Sequence, residues 1–172
     1  MNRGYEFKEK SISGVYEIMP FSSSDFRGSG VKEYSEEVFK EHDIHFQPKE
    51  ILTIRSKKGV LRGLHFQRVK EQAKLIRCIS GKLWCAVVDI RSESVTFKRW
   101  IEVDVNEGME VYVPAGCAVG TLALQDSLML CTYNEKYYGE YDDGIRWDDK
   151  DIGVKWPLEQ IEGSPIISEK DK

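Results

Sequence analysis

The sequence predicts an all-β fold, an antiparallel sandwich or barrel with one short helix, built as a single domain over residues 1–172. Three observations predict it. Short β-branched and aromatic runs alternate with turns rich in Gly, Asn and Asp. A single stretch carries helical periodicity. No βαβ rhythm, internal repeat, low-complexity segment or linker interrupts the pattern.

Taken in order, residues 15–21 read as the first strand, and residues 31–42 as the helix, with Val31, Tyr34, Val38 and Phe39 approximating one apolar face. Strands follow at 51–55, 60–66, 74–79, 82–90, 98–105, 110–113 and 127–133. Ser80-Gly81 reads as a tight hairpin turn and Asn106-Glu107-Gly108 as a looser one. Within 98–105, Trp100, Glu102 and Asp104 alternate with Ile101, Val103 and Val105, the pattern of a half-solvated strand. The segment from Val113-Pro114 through Gly120 reads as a tight return into a packed sheet. The C-terminal segment, with Trp147-Asp148-Asp149 and Trp156-Pro157, reads as a wrap over the domain.

Composition excludes several classes. At 172 residues with 41% hydrophobic and 31% charged residues, the chain is that of a soluble globular domain. A net charge of -4 with no Lys/Arg-rich run leaves no footprint for nucleic acid. No apolar stretch approaches the ~18–20 residues needed to cross a bilayer. The polar first ten residues lack the apolar core of a secretory signal, so a cytoplasmic location is expected. The four cysteines, Cys78, Cys85, Cys117 and Cys131, lie in or beside apolar runs and read as buried free thiols in a reducing compartment. A hairpin at Ser80-Gly81 would set Cys78 opposite Leu83 and Cys85 opposite Ile76, not opposite each other. No CxxC pair or Cys/His spacing suggests zinc.

The stretch from Gly59 to Gln67 carries the chemistry. His65 interrupts an apolar strand, and it is one of three histidines; the others, His42 and His45, sit in a charged segment. Imidazole is the side chain suited to proton transfer near neutral pH, so His65 is the first candidate base, although a core histidine with both nitrogens satisfied is an equal reading. Alternation puts His65 and Arg62 on opposite faces, unless a bend at Gly63 brings Arg62 round. An arginine in a strand entering the core needs an anionic partner. Lys74 opens the next strand, where an exposed strand end is the plainer reading.

Together and in this order, these segments resemble the dTDP-4-dehydrorhamnose 3,5-epimerase family. The landmarks are Asp25-Phe26-Arg27-Gly28, Val60-Leu61-Arg62-Gly63-Leu64-His65-Phe66-Gln67, Lys74-Leu75 and Val88-Asp89-Ile90-Arg91. They continue through Ser94-Val95-Thr96-Phe97, Val113-Pro114-Ala115-Gly116, Tyr137-Tyr138, Gly144-Ile145-Arg146-Trp147-Asp148-Asp149 and Ser168-Glu169-Lys170-Asp171. The resemblance covers nearly the whole chain. It implies a cupin-type jelly roll, a homodimer, and catalysis without metal or other cofactor on a nucleotide-linked 4-keto-6-deoxy sugar. By motif, His65 would be the base and Asp171 its orienting carboxylate. Lys74 and Arg62 would steady the enolate oxygen. The resemblance also places Arg27 near the diphosphate, Tyr138 along the sugar or nucleotide, and Gln67 among the substrate-binding positions.

Against the family pattern, several positions differ. The second histidine of the family falls on Val119, and its aspartate partner on Cys85. Counting without gaps from Pro114, the acid tyrosine falls on Thr132, whose hydroxyl is too weakly acidic to replace a phenol. Tyr133 is one residue along and would face away unless a bulge intervenes. Lys32 stands where an acidic residue is usual, and Glu50 and Leu52 replace amides. The expectation is therefore an isomerase of altered scope, inverting C3, C5 or both. The alternatives are a sugar-nucleotide-binding module that has lost turnover and a metal-dependent cupin oxygenase, which the lack of a His cluster argues against.

Overall fold

Two antiparallel sheets face one another across a core of aliphatic and thiol side chains, in the computed structural model, which describes residues 2–172. The strands are β1 (Asn2–Arg3), β2 (Glu6–Glu9), β3 (Tyr16–Met19), β4 (Phe21–Asp25) and β5 (Gly28–Lys32). After the helix α1 (Glu36–Lys40) come β6 (Glu50–Ser56), β7 (Leu61–Gln67), β8 (Lys74–Ser80), β9 (Lys82–Asp89) and β10 (Trp100–Asn106). The series closes with β11 (Glu110–Val113), β12 (Cys117–Ala123), β13 (Ser127–Tyr133) and β14 (Asp142–Gly144). One sheet runs β2-β3-β11-β8-β13-β6, the other β10-β9-β12-β7-β14, and β1-β4-β5 form a small third sheet. This is the all-β, cupin-type jelly roll that the sequence led one to expect.

Both large sheets are covered on both faces. Cys78, Cys85, Val87, Val103, Val111, Val119 and Cys131 fill the space between them. The outer face of the five-stranded sheet, with Leu64, Trp84 and Ala118, lies under the C-terminal wrap, which contributes Trp156 and Ile161. The outer face of the six-stranded sheet, with Ile18, Leu75 and Tyr112, lies under Phe39, Ile44 and Phe46. Double coverage explains why β9 and β12 are almost continuously buried rather than alternating. The β10 strand is at a sheet edge and does alternate, with Val103 and Val105 inward.

Several elements depart from the sequence reading. The turn at Ser80-Gly81 joins β8 to β9, yet these strands belong to different sheets, so the chain crosses the sandwich there instead of forming a hairpin. Gly81 has φ +88°, and a Cβ on it would stand 2.4 Å from Asp126 O, so the crossing needs glycine. Asn106-Glu107-Gly108, read as a looser hairpin, likewise joins strands of different sheets, β10 and β11. The helix is shorter than expected: Val31 pairs with Ser22 in the β4–β5 hairpin, and only Glu36–Lys40 is helical. The segment read as a return contains a full strand, β12, at the centre of the five-stranded sheet. Pro20 likewise divides the first expected strand, since it cannot donate to a ladder, and the chain passes there from the six-stranded sheet to the small one.

Candidate active site

The β7 strand builds the site because of one irregularity. Opposite it on β12, Val119 pairs with His65 and Thr121 with Arg62. Two residues apart on β12 thus face two residues three apart on β7, which is a bulge. The extra residue cancels the alternation, and Arg62 and His65 open onto one cavity. Gly63, inside the bulge, has φ +116°, and its α-carbon packs so close to β12 that a Cβ would lie 2.5 Å from Gly120 Cα. The bend at Gly63 that the sequence allowed is present.

The cavity measures about 650 Å³ and is lined by Arg62, His65 and Lys74, by Tyr133 and Tyr137, and by Asp142, Lys170 and Asp171. A further wall comes from β6, where Glu50, Leu52 and Ile54 share a face. His65 Nε2 stands 2.6 Å from Asp171 Oδ1. With Nε2–H donated to the carboxylate, Nδ1 holds the lone pair that can take a proton. Asp171 is buried, and Ser168 Oγ donates to its second oxygen at 3.0 Å. The tail that delivers it is pinned where Leu61 N donates to Ile166 O at 2.9 Å and Arg146 Nη1 to Lys172 O at 2.9 Å.

Lys74 is buried and donates from Nζ to His65 O at 3.1 Å. Burial pushes its pKa down, against the opposing influence of Cys131 and Asp142. Arg62 is held from behind, Nε donating to Ser56 Oγ at 3.1 Å and Nη2 to Arg55 O at 3.3 Å. Lys170 pairs with Asp142, which also accepts from Tyr137 Oη at 2.9 Å. Burial would raise the Asp142 pKa, but the hydrogen bonds from Lys170 and Tyr137 outweigh it and hold the carboxyl below its ordinary value.

The acid side of the site is the main correction. Tyr133, not Thr132, lines the cavity, in a cross-strand row with Lys74 on β8 and Glu50 on β6. Thr132 pairs with Leu75 and Ile51 and is buried on the opposite face of β13. The residue lining the cavity therefore lies one position beyond the one reached by the gapless count. Burial, reinforced by the adjacent Cys131, pushes the Tyr133 phenol well above its ordinary pKa. It is a protonated group facing the cavity, suited to donating a proton.

Other expected residues lie elsewhere. Val119 and Cys85 belong to the core between the sheets, and Val119 does not line the cavity. Gln67 is buried with its amide committed: Nε2 donates to Lys70 O at 2.6 Å and to Lys136 O at 3.2 Å, and Oε1 accepts from Tyr138 N at 2.8 Å. It holds the loop in place instead of lining the cavity. Tyr138 does not line the cavity and has Lys70 Nζ 5.6 Å from its ring centroid; the neighbouring Tyr137 takes the lining position. Arg27 sits at the exposed tip of the β4–β5 hairpin, paired with Asp25 at 2.6 Å, and does not reach this cavity. Sequence reasoning missed Asp142, Tyr137 and Lys170 as lining residues: Tyr137 and Lys170 were signalled only by membership in motifs read as a whole, and Asp142, in the acidic run before Gly144, by nothing.

A carboxylate-oriented imidazole, a buried lysine and a protonated phenol around one open cavity of a jelly roll define a proton-transfer enzyme of the carbohydrate epimerase class. The chain belongs to the dTDP-4-dehydrorhamnose 3,5-epimerase family, whose model matches residues 9–172. It is 42% identical over 176 residues to the dTDP-4-dehydrorhamnose 3,5-epimerase of Methanothermobacter thermautotrophicus, covering 98% of this chain and 92% of that protein. Among solved structures it is similar to the dTDP-6-deoxy-D-glucose-3,5-epimerase of Legionella pneumophila in complex with dTDP-4-keto-L-rhamnose, with TM-score 0.90, 27% identity and coverage of 98% and 90%. It also resembles ChmJ, a 3'-monoepimerase from Streptomyces bikiniensis in complex with dTDP-quinovose, with TM-score 0.85, 30% identity and coverage of 94% and 83%.

Proposed function

We propose that the protein is a metal-independent epimerase of a nucleotide-linked 4-keto-6-deoxyhexose, inverting a carbon beside the ketone, C3, C5 or both. The observation that carries this reading is that His65, backed by Asp171, and Tyr133 line the same cavity. A hydrogen α to a ketone is acidic enough for imidazole to remove. His65 takes that proton, and the electron pair moves onto the carbonyl oxygen as an enolate. Lys74 and Arg62 supply positive charge for that oxygen. Tyr133 then gives its proton to the opposite face of the carbon, and the enolate electrons return to the carbonyl. Asp171 stabilises the imidazolium until it passes its proton to solvent, from which the phenolate recovers one.

The dTDP-linked ligands of the two structural neighbours make dTDP-sugars the first substrates to test. A homodimer is part of the same reading, supported by the exposed β4–β5 hairpin with Phe26 at its tip. So is a cytoplasmic location, supported by four buried free thiols; among the described residues, no helix is long and apolar enough to cross a membrane. The test is incubation with a dTDP-4-keto-6-deoxyhexose in deuterated water. Deuterium should enter at C3, C5 or both, with inversion, and His65→Ala should abolish it. An unaffected exchange rate in that variant would remove His65 as base.

A further inference from the structure

Asp171 reaches His65 from a single short turn, Glu169–Asp171, near the end of the chain. Lys170, the residue before it in that turn, pairs with Asp142. Asp142 opens β14, which pairs with β7 so that Asp142 stands opposite Gln67 and Gly144 opposite His65. Two adjacent residues of the turn therefore grip two adjacent strands, Asp171 on β7 and Lys170 on β14. All four side chains line the one cavity. Asp142 has an anchor of its own: it accepts from Tyr137 Oη at 2.9 Å, and only 16% of its side chain is exposed. Burial resists its ionisation, yet the hydrogen bonds from Lys170 and Tyr137 prevail, so it is a carboxylate at neutral pH. Two further ties hold the tail on either side of the turn, Leu61 N donating to Ile166 O and Arg146 Nη1 to Lys172 O. Ties at two points leave the turn free to rotate about the line between them. The Lys170–Asp142 pair removes that freedom.

We propose that Lys170 and Asp142 are positioning residues for the base: their ion pair fixes the turn so that the Asp171 carboxylate already meets His65 Nε2 when substrate arrives. This rests on the reading of His65 as base and Asp171 as its partner. Neither Lys170 nor Asp142 gains or loses a proton in the reaction. What they supply is geometry, because the worth of a carboxylate to an imidazolium depends on its distance and direction. An ion pair between two exposed side chains does little. Here the carboxylate is mostly buried and shared with a phenol, and the lysine adjoins the residue to be placed.

The test reads the base step, as deuterium wash-in from solvent into a dTDP-4-keto-6-deoxyhexose. Lys170→Met keeps the length of the side chain and removes its charge, at a half-exposed position that the fold tolerates. Its wash-in kcat should fall about fivefold to tenfold, with KM unchanged. Lys170→Arg, which keeps the charge, should restore the rate. The number of inversions per exchange event should stay as in wild type, because Tyr133 is untouched. In an Asp171→Asn background, Lys170→Met should cost nothing further, since no carboxylate is left to place. If Lys170→Met lowers the Tm, Asp142→Asn makes the same comparison from the β14 side. Wild-type wash-in in Lys170→Met, a raised KM at unchanged kcat, or a full additional loss in the Asp171→Asn background would overturn the inference while leaving the catalytic reading intact. A wild-type protein that neither exchanges nor inverts would overturn both.

Discussion

His65 and Asp171 stand 106 positions apart in the chain and 2.6 Å apart in space, Nε2 to Oδ1. In the proposed mechanism that contact orients the imidazole, and Asp171 supplies a negative charge beside the imidazolium that proton abstraction would form. Asp171→Asn keeps the size but removes the charge. Its deuterium wash-in rate should fall about 10²- to 10⁴-fold, the usual worth of a general acid–base group. A variant exchanging at the wild-type rate would show that the carboxylate does not support the base.

Tyr133 and Thr132 make opposite predictions. Tyr133→Phe removes the proton donor from the cavity and should lower inversion by roughly 10²- to 10⁴-fold while exchange at the abstracted carbon continues. Thr132→Val changes a buried side chain on the far face of β13 and should leave inversion near wild type. Product stereochemistry by NMR, set beside deuterium content, checks both. A Tyr133→Phe protein that still inverts at full rate would return the acid role to another group.

Glu110 gives a prediction about stability. It is fully buried on β11, and both carboxyl oxygens lack a hydrogen-bond partner. Burial pushes its pKa up to about 8, against the pull of Arg77. The unfolded chain releases this proton near pH ~4.3, whereas the folded protein keeps it until about 8. Between those values the folded state binds more protons, so stability from this group is complete below the unfolded pKa and declines as pH rises toward the folded one, at about 1.4 kcal/mol per pH unit. Glu110→Gln should flatten that slope and be more stable than wild type at pH 8. Urea unfolding at pH 5 and pH 8 decides it; equal slopes for the two proteins would show that Glu110 is ionised in the folded state.

Gly63→Ala tests the bulge that gathers the site. The new Cβ would meet Gly120 Cα at 2.5 Å and Val119 O at 2.8 Å, both backbone atoms that cannot swing aside. The left-handed φ adds to the strain. Destabilisation of more than ~3 kcal/mol is expected, read as a lowered Tm with activity lost alongside. An alanine variant with wild-type Tm would mean that β7 and β12 can separate freely.

Much of this was legible in the sequence, for reasons that differ from residue to residue. His65, Arg62, Lys74 and Asp171 could be named because each is a polar group held inside an apolar context or a compact motif. Thr132 was named at the cavity in place of Tyr133 because a gapless count cannot register a one-residue offset, and a shift of one residue reverses the face. Ser80-Gly81 was read as a hairpin because turn chemistry is the same whether the chain returns beside itself or crosses to the other sheet. Arg27, Gln67 and Tyr138 came from motif position alone, which marks a segment and not the direction in which its side chains point.

The wrap that delivers Asp171 has a kinetic consequence. Residues 145–171 adhere mainly through side chains, with Trp156 lying 5.2 Å from the Trp84 ring and donating to Trp147 O at 2.7 Å, and with a single parallel bridge between Val60 and Ile166. A segment held so sparsely by ladder hydrogen bonds opens as its own cooperative unit, at lower cost than the sheets beneath it. When it lifts, the imidazole loses its counter-charge while the sandwich stays closed. Mild denaturant will therefore silence the protein before it unfolds it, and the gap between those two midpoints measures how tightly the wrap is held down.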